Sequence, residues 1–451
     1  MITAPVIVRS SSLGLAGTVA PSERISLGLI GCGNHGAGWN LNQIFRCSDV
    51  QVVALCDVDR NRLAKAQKKV DRHYSTIFGK EYRSCATHGD FRKLILRKDI
   101  DAVAVCTPDH WHIIPAIMAV RCGKDVICEK PLTLFVEEGK VLCRAVRDNK
   151  RVFQTASENR SIDVYRRLIE LVRTGAIGRL RHIRVTLPGG NESRGANFNQ
   201  RDEVPVPPEF NYDVWLGQAP RAPYVPARCH GSFRWFLDYS GGRLTDWGAH
   251  LIDLAQWGND TEHTGPVEVE GAGKFPPPDS LFSTAYGFDI DYKYANGVTM
   301  NVSSQKPGIR FEGSDGWIES QGWRGVLKAS RPEILDTPID PEKVKLYRPS
   351  KIIARTDGGA GGEHRNFYDC VKSRRDCYAP AEIGHRTITI SHLGNIAMLL
   401  GRKLKWDPEE EDFLGDAEAT ARLSRAQREP WTMDNIDQWI SNRSPIRQGS
   451  R

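Results

Sequence analysis

The sequence has no apolar run of the roughly 18–20 residues that are needed to cross a lipid bilayer. It has no CxxC pair, and its 11 cysteines are an odd number, which argues against structural zinc and against a disulfide framework. Many of them, such as Cys56, Cys106 and Cys128, stand in apolar stretches and should be small buried hydrophobes. The net charge of +7 forms no lysine and arginine run of the kind that binds nucleic acid, and no short internal repeat occurs. These absences disfavour a membrane protein, a zinc protein and a nucleic-acid-binding protein.

The composition that remains is typical of a globular protein with two domains. A chain of 451 residues exceeds the roughly 250–300 residues at which one hydrophobic core stops growing. A hydrophobic fraction of 40% and a charged fraction of 26% argue against disorder and against a fibrous repeat. Residues 1–24 are small and weakly apolar, and predict either a disordered N-terminal arm or the remnant of an export signal. We therefore expect a cytoplasmic protein, with periplasmic export as the alternative.

A glycine-rich turn follows the first apolar segment. Residues 25–30 (ISLGLI) predict a buried strand, and residues 31–36 (GCGNHG) lead from it into a helix-compatible stretch. Glycines suit such a turn because the chain bends sharply, the backbone must approach a pyrophosphate, and the helix must pack on its strand. The same glycines could serve a purely structural turn. The residues predicted to contact a dinucleotide are Gly31, Gly33, Asn34, His35 and Gly36.

An acidic residue stands where a dinucleotide site requires one. A second apolar run, residues 50–56, leads into Asp57, and 57 − 31 = 26 positions separate this acid from the first glycine. A carboxylate roughly 20 residues beyond the glycine turn binds the ribose hydroxyls in Rossmann domains and repels a 2′-phosphate. Asp57 therefore favours NAD. Because Arg60 and Arg62 could turn toward a 2′-phosphate, NADP remains the alternative.

Two further predicted strands end in polar residues. Residues 101–106 (DAVAVC) lead into Thr107, and residues 125–128 (DVIC) lead into Glu129. In doubly wound sheets ligands bind beyond the carboxyl ends of the strands, so the residues that follow should share the crevice where nicotinamide lies. The crevice residues predicted in this way are Thr107, Pro108, His110, His112, Glu129 and Lys130. We expect the two histidines to form pocket wall.

The chain resembles the Gfo/Idh/MocA oxidoreductases through the glycine turn at 31–36, through residues 107–112 (TPDHWH) and above all through residues 129–131 (EKP). The likeness covers nearly the whole chain and continues through residues 175–178 (GAIG), 215–217 (WLG), 241–253 (GGRLTDWGAHLID) and 401–406 (GRKLKW). The resemblance implies an α/β protein: an N-terminal Rossmann dinucleotide-binding domain, then an α+β domain with an open, largely antiparallel sheet. It also implies a homo-oligomer, either a dimer or a tetramer.

The patterning of the chain agrees with that division. After about residue 150 the strand–helix alternation gives way to β-rich segments at 181–187, 266–274, 281–294 and 297–304. Helical patterning returns at 363–370 and 384–400, and these helices should pack back on the domains. We therefore divide the chain into a Rossmann domain at 25–152, an α+β domain at 153–440 and a flexible tail at 441–451.

Three residues have the chemistry that hydride transfer from an alcohol requires, which is a base and a positive group near the reacting oxygen. Lys130 follows a strand at the crevice, while Asp246 and His250 are four apart and would share one face of a helix. The family resemblance implies that the residue aligned with His250 is the usual proton acceptor. Imidazole titrates near neutral pH, and a neighbouring carboxylate can fix its tautomer. His250 is therefore the predicted base, with Lys130 and Asp246 orienting the hydroxyl.

Each of these residues also has a simpler interpretation. Lys130 could be a surface lysine at a strand end, and Asp246 could be the N-cap of the helix that carries His250. An Asp-x3-His pair could be half of a metal site, but no second histidine cluster has a matching spacing. No metal is therefore predicted.

The second domain should supply the substrate contacts. Its polar and aromatic side chains offer hydrogen bonds and flat apolar faces to a sugar ring, although tryptophan and tyrosine are also ordinary core residues. The candidates for substrate contact, besides Lys130, Asp246 and His250, are Glu158, Asn159, Arg160, Arg234, Trp235 and Tyr239.

The sequence thus predicts an NAD(P)-dependent oxidoreductase that acts on a hydroxyl of a sugar, cyclitol or related polyol. One alternative is a glycosidase or lyase that oxidises C3 transiently and returns the hydride, so that no net NADH accumulates. Another is a dinucleotide-binding protein without catalysis, which the retention of Lys130, Asp246 and His250 together argues against. The expected partner is a small-molecule sugar or polyol, with neither nucleic acid nor a membrane span.

Overall fold

A computed structural model describes residues 19–190, 202–340, 344, 346 and 362–442 of the protein. Most of the predicted N-terminal arm and of the predicted tail lies outside these ranges. Within them, Pro21–Glu23 forms a short 3-10 turn, and the guanidinium of Arg24 donates to the carbonyl of Val19.

The first domain is built on a six-stranded parallel sheet with the strand order β3-β2-β1-β4-β5-β6. Its strands are β1 Ile25–Ile30, β2 Val50–Cys56, β3 Ala86–His88, β4 Ala102–Val105, β5 Asp125–Cys128 and β6 Phe153–Thr155. The α-helices between them are Leu41–Phe45, Arg60–Phe78, Phe91–Ile95, Ile113–Arg121 and Val136–Asp148. This order is that of a Rossmann domain, in which the ligand crevice lies at the carboxyl ends of β1 and β4, where the strand order reverses.

The central strands are continuously apolar because both faces of the sheet are covered. Every residue of β4 and β5 is buried, and β1 leaves a single residue half-buried. A parallel sheet needs helices on both faces, so its strands show no alternation of apolar and polar residues. The strands expected at 25–30, 101–106 and 125–128 are confirmed to within a residue at each end.

The second domain is built on a nine-stranded sheet with the order β13-β12-β11-β7-β10-β9-β8-β14-β15. Its strands are β7 Leu180–Leu187, β8 Pro266–Lys274, β9 Gly287–Tyr294, β10 Thr299–Ser304, β11 Gly308–Gly313, β12 Trp317–Gln321, β13 Leu327–Ala329, β14 Leu404–Asp407 and β15 Asp412–Phe413. The sheet is mixed, since β7 and β10 pair in parallel, but the other ladders are antiparallel as expected. The segment predicted at 281–294 becomes a strand only from Gly287 onward.

Helices cover one face of this second sheet and enclose the larger apolar core. The helix Gly242–Asn259, called the site helix below, packs against β7 and against the helix Ala381–Leu400. The remaining α-helices of the described ranges are Asp163–Arg173, Tyr212–Leu216, Gly362–Ser373, Ala417–Thr420 and Ile436–Ser441. As expected from the sequence, the late helices return: Ala381–Leu400 also contacts the first-domain helix Val136–Asp148.

All 11 cysteines are free thiols, and eight of them are buried. This agrees with the interpretation of the cysteines as small apolar residues of the core. Within the residues that the structure describes, no helix has the length and apolar character that crossing a membrane demands.

Candidate active site

The glycine turn after β1 leaves room for a ligand at one position and none at two others. Gly31 has a φ of +96°, and a Cβ atom there would overlap the carbonyl of Cys106. A Cβ atom on Gly36 would overlap the carbonyl of Gly31, so this third glycine lets the helix pack on its strand. At Gly33 a Cβ atom would meet only the Arg62 guanidinium, at 3.6 Å. The backbone is therefore open at Gly33, where a pyrophosphate can approach it.

Asp57 lies at the end of β2, below this turn. Its carboxylate accepts the backbone N–H of Cys32 at 2.6 Å and that of Asp59 at 2.8 Å. Burial raises the pKa of Asp57. The acid thus braces the glycine turn and also faces the cleft. Of the two arginines that could select a 2′-phosphate, Arg60 is bound to the carbonyl of Pro208, whereas Arg62 lines the cleft.

A cleft of about 460 Å³ runs from the glycine turn to Lys130. The first domain forms its floor with the turn and the ends of β2, β4 and β5. The second domain forms its roof, which consists of Phe210, Val214, Trp215, His230, Gly231, Phe233 and Arg234. Nine predicted cofactor residues line it: Gly31, Gly33, Asn34, His35, Asp57, Thr107, Pro108, Glu129 and Lys130.

Residues 204–240 form the roof segment, which contributes most of an apolar cluster that is rich in aromatic side chains and also includes Phe282. It is attached to the first domain next to Asp57. Asp59 and Phe210 form an isolated β-bridge, the N–H of Arg60 donates to the carbonyl of Glu209, and the N–H of Asn211 donates to that of Val58. The other domain is therefore hydrogen-bonded to the first domain at the end of the cleft beside Asp57.

His110 and His112 do not line the cleft, although the sequence placed them in it. Both rings are buried. His110 Nε2 lies 2.9 Å from the Trp215 carbonyl, and His112 has its two ring nitrogens 2.7 and 2.9 Å from the carbonyls of Pro131 and Thr107. Burial lowers the pKa of both. They fix the loops beneath the cleft rather than forming its wall.

Glu129 directly follows β5, and its buried carboxylate is bound by His35 and Asn40. It lies 2.9 Å from His35 Nε2 and accepts Asn40 Nδ2 at 2.8 Å. Burial alone would raise the pKa of Glu129, but His35, Asn40 and Lys130 hold it well below its usual range. The same pairing raises the pKa of His35. This pair connects the glycine turn with the strand end that carries Lys130.

Lys130 and Asp246 join the two domains beside the cleft. Lys130 Nζ lies 2.8 Å from Asp246 Oδ1 and donates to the Asp246 backbone carbonyl at 3.1 Å. The side chains are 12% and 8% exposed. Two arginines, Arg243 at 3.0 Å and Arg234 at 3.4 Å, contact the same carboxylate. Burial alone would raise the pKa of Asp246, but Lys130 and the two arginines hold it far below its usual range.

His250 follows Asp246 by one turn of the site helix and is 7% exposed. Burial, and then the charge of Lys130, lower its pKa well below the usual value, so the imidazole is neutral near pH 7. Its Nδ1 atom is buried and has no hydrogen-bond partner among the described residues. The ring packs against the indole of Trp323 with a centroid distance of 5.0 Å. A neutral imidazole can accept a proton.

The six further predicted substrate residues divide into one at the cleft, four in the interior, and Glu158, which is half-buried and lies 3.3 Å from the Arg324 guanidinium. Arg234 lines the cleft. Trp235 and Tyr239 are buried in the roof segment. Asn159 is buried below His250, with its Nδ2 3.5 Å from the His250 carbonyl. These three are packing and positioning residues in this geometry.

Arg160 also departs from its predicted role. Its side chain is 2% exposed, and its guanidinium makes two 2.8 Å hydrogen bonds to Asp253 and one contact of 2.5 Å to Glu262. It lies over the ring of Trp257 as well. A guanidinium with all these partners holds the site helix in place and has no free face for a sugar.

Asp109 is a cleft residue that the sequence reasoning missed. It lines the cleft and accepts a hydrogen bond of 2.6 Å from the Ser240 hydroxyl, just ahead of the site helix. Burial raises the pKa of Asp109 to about 7. The available signal was its place directly after Thr107 and Pro108, in the segment that follows β4.

The residues present fit a dinucleotide and give no indication of a metal. Thr107 lines the cleft, and its hydroxyl is buried without a hydrogen-bond partner among the described residues. Together with the open backbone at Gly33, this leaves polar groups that a bound dinucleotide would satisfy. Over the described ranges, no three histidine, cysteine or carboxylate side chains come together as metal ligands would.

Sequence comparison defines the class of protein to which this fold and cleft belong. Residues 25–157 match the NAD-binding Rossmann fold of the Gfo/Idh/MocA oxidoreductase family, and residues 166–347 and 349–433 match its C-terminal alpha/beta domain. The chain therefore belongs to the Gfo/Idh/MocA oxidoreductase family, and its first domain is an NAD-binding domain.

The individual relatives match shorter parts of the chain. Levoglucosan dehydrogenase of Pseudarthrobacter phenanthrenivorans is 34% identical over 127 residues, which are 28% of this chain and 32% of that protein. Glycosyl hydrolase family 109 protein 2 of Shewanella sp. (strain ANA-3) is 31% identical over 138 residues, 30% of this chain and 28% of that protein. The matched part thus spans about a third or less of these curated relatives.

A solved structure shares the fold over most of the chain. The aldose-aldose oxidoreductase from Caulobacter crescentus, complexed with glycerol, has a TM-score of 0.60 and 18% identity. The likeness covers 85% of this chain and 99% of that one. At this identity the likeness shows the common architecture of two domains.

Proposed function

We propose that the protein transfers a hydride between a hydroxyl of a sugar, cyclitol or related polyol and NAD, with NADP as the alternative cofactor. One observation carries the proposal. Lys130 from the first domain meets Asp246 from the second domain at 2.8 Å, at the end of the cleft opposite Asp57. A neutral buried His250 lies one helical turn further on.

The three side chains have distinct roles in this proposal. Bound NAD supplies the hydride acceptor when an alcohol is oxidised. Lys130 donates a hydrogen bond to the reacting oxygen, and Asp246 holds the ammonium of Lys130 in place. His250 accepts the hydroxyl proton because its imidazole is uncharged near pH 7. Arg234, which reaches both the cleft and Asp246, would bind a further hydroxyl of the substrate.

The cofactor would lie along the cleft, with its adenosine ribose at Asp57 and its pyrophosphate over Gly33. Asn34, Thr107 and Glu129 line the path between these residues and Lys130. The single open glycine of the turn and the unpartnered Thr107 hydroxyl support this direction.

The experiment is a panel of sugars, inositols and uronates, scored for NADH formation and combined with analysis of cofactor bound to the purified protein. Asp246→Asn is the comparison variant, since it keeps the shape of the side chain and removes the charge that holds Lys130. We expect turnover of a ring sugar or cyclitol by the unmodified protein and a loss of turnover in the variant, with NAD affinity retained. Absence of turnover for every compound, with either NAD or NADP, would refute the proposal.

A redox-neutral reaction is the second candidate, and the roof segment is the observation that favours it. The segment is hydrogen-bonded to the first domain at the end of the cleft beside Asp57, through contacts at Phe210 and Asn211. A glycosidase or lyase that oxidises C3 transiently would benefit from a cofactor that stays bound. It would consume substrate with no accumulation of NADH, whereas a dehydrogenase produces one NADH per turnover.

We further propose that the protein acts in the cytoplasm as a homodimer or homotetramer and binds no nucleic acid. The 11 free thiols support a reducing compartment. Light scattering of the purified protein measures the oligomer size, and a monomer at micromolar concentration would refute the assembly.

A further inference from the structure

Trp323 is an exposed aromatic side chain at the edge of the candidate active site. Its side chain is 37% exposed, in the connection between β12 and β13. It is part of none of the apolar clusters that make up the cores of the described residues. Core packing therefore does not account for a tryptophan at this position.

The loop that carries Trp323 is held in place by polar contacts. The backbone N–H of Arg324 donates to the Tyr165 hydroxyl at 2.8 Å, and the Arg324 guanidinium lies 3.3 Å from Glu158. The preceding Gly322 has a φ of +82° and Arg324 one of +58°, which places both in the left-handed region that a tight loop uses. The indole is thus presented from a fixed backbone.

Trp323 also reaches the predicted base. Its indole lies at 5.0 Å, centroid to centroid, from both the His250 ring and the Trp247 ring, in edge-to-face geometry. The partly exposed indole is therefore in direct contact with the predicted base. The Arg324 guanidinium lies over one face of the indole, 5.5 Å from a ring centroid, and is paired with Glu158, so a ring that uses the rest of the indole has both a donor and an acceptor next to it.

We propose that Trp323 is a stacking platform for the ring of a cyclic substrate, a pyranose or a cyclitol, and that it selects rings over open-chain polyols. The inference rests on the proposed function and narrows its substrate class. An indole face is flat, apolar and electron-rich, and the C–H groups on one face of a sugar ring carry slight positive charge. An open-chain polyol has no such face, so it gains little from the platform.

The test compares Trp323→Ala and Trp323→Phe with Trp317→Ala. Trp317 is the matched control, because it lies on the same hairpin but stacks on Arg310, at 4.0 Å, and has no contact with His250. Loss of an aromatic contact of this kind corresponds to roughly a 3- to 10-fold change in affinity. We expect Trp323→Ala to raise KM for glucose or myo-inositol by that factor or more, with a smaller change in kcat, and Trp323→Phe to fall between.

Open-chain sorbitol provides the second comparison. Its KM should not change in Trp323→Ala, and Trp317→Ala should leave all constants as they are. Unchanged KM values for glucose and myo-inositol in Trp323→Ala, or an equal rise in KM for sorbitol, would refute the proposal that Trp323 is a stacking platform.

A binding measurement separates this inference from the proposed function. In the NAD-loaded protein, titration with glucose or myo-inositol should quench tryptophan fluorescence, and Trp323→Phe should remove that quenching. If no compound is turned over but the quenching occurs and depends on Trp323, the proposed chemistry fails while the platform stands. Absence of quenching by both rings overturns the platform whatever the turnover.

Discussion

Replacing His250 by glutamine removes the predicted base with little change in volume. The imidazole is 7% exposed and neutral near pH 7, because burial and the charge of Lys130 lower its pKa. The whole population therefore has the base available, and the substitution removes its full contribution. General-base catalysis contributes roughly 10²–10⁴-fold to a rate, which corresponds to about 2.7–5.5 kcal/mol in the activation free energy.

The assay is single-turnover hydride transfer, followed at the absorbance of reduced nicotinamide with the sugar that the panel identifies. NAD affinity, measured by calorimetry, should change less than about twofold, since His250 does not line the nucleotide cleft. His392→Gln is the matched control. His392 is equally buried in the helix Ala381–Leu400 and bonds to Thr133, and burial lowers its pKa to about 3.

The pH dependence of kcat/KM gives an independent test of the base. The cation of Lys130 lowers the pKa of His250, so Lys130→Met should raise that pKa. The rise of kcat/KM with pH, which follows deprotonation of the base, should then move to higher pH in the variant. Near-full turnover of His250→Gln with an unaltered pH profile would refute the assignment, and Lys130 would become the leading candidate for the base.

Four other predictions concern the cleft, the interior and the thiols. Asp57→Ala should weaken NAD binding and improve NADP binding in calorimetry; unchanged affinities for both would contradict the ribose assignment. Burial raises the pKa of Asp109 to about 7 in the folded protein, above its unfolded value, so the free energy of unfolding falls as the pH rises from about 4 to 7. Asp109→Asn removes this loss. In urea unfolding the variant should therefore gain stability relative to the parent, by at most about 1.4 kcal/mol per pH unit over that range. Arg160→Met leaves Asp253 buried and unpaired by arginine, and should lower the free energy of unfolding by about 3–5 kcal/mol; a loss under 1 kcal/mol would contradict the structural role. Alkylation without reductant should label all 11 cysteines after unfolding, and stable bridges would contradict their free state.

The first domain could be predicted in detail because its signals are local. The glycine turn, the apolar strands and the polar residues after β4 and β5 each occupy a few consecutive positions, and parallel topology brings strand ends to one edge. Asp246 and His250 lie one helical turn apart, as their spacing predicted. Their contact with Lys130 needed the second domain to fold over the first, which only the family resemblance implied.

Arg160 shows what the sequence could not provide. It stands next to Glu158 and Asn159 in a polar stretch that suggests a binding site, but its partners Asp253 and Glu262 are about 100 positions away. The local sequence around a charged residue does not show whether its side chain pairs with a buried carboxylate or faces a solvent-filled cleft. Trp323 is the converse case, since the proximity of its loop to His250 depends on how the β12–β13 hairpin meets the site helix.

Contacts between the domains at the two ends of the cleft constrain how the protein can move. The roof segment is attached beside Asp59 at one end of the cleft, and Lys130 is bound to Asp246 at the other. A rigid-body hinge would have to break one of these attachments, so simple opening of the two domains is not available as a low-energy motion. Nucleotide exchange should instead follow local unfolding of the roof segment, and the off-rate should rise with temperature as steeply as amide hydrogen exchange in that segment does. Cofactor residence time is then set by the stability of a short aromatic core rather than by the affinity of the cleft alone.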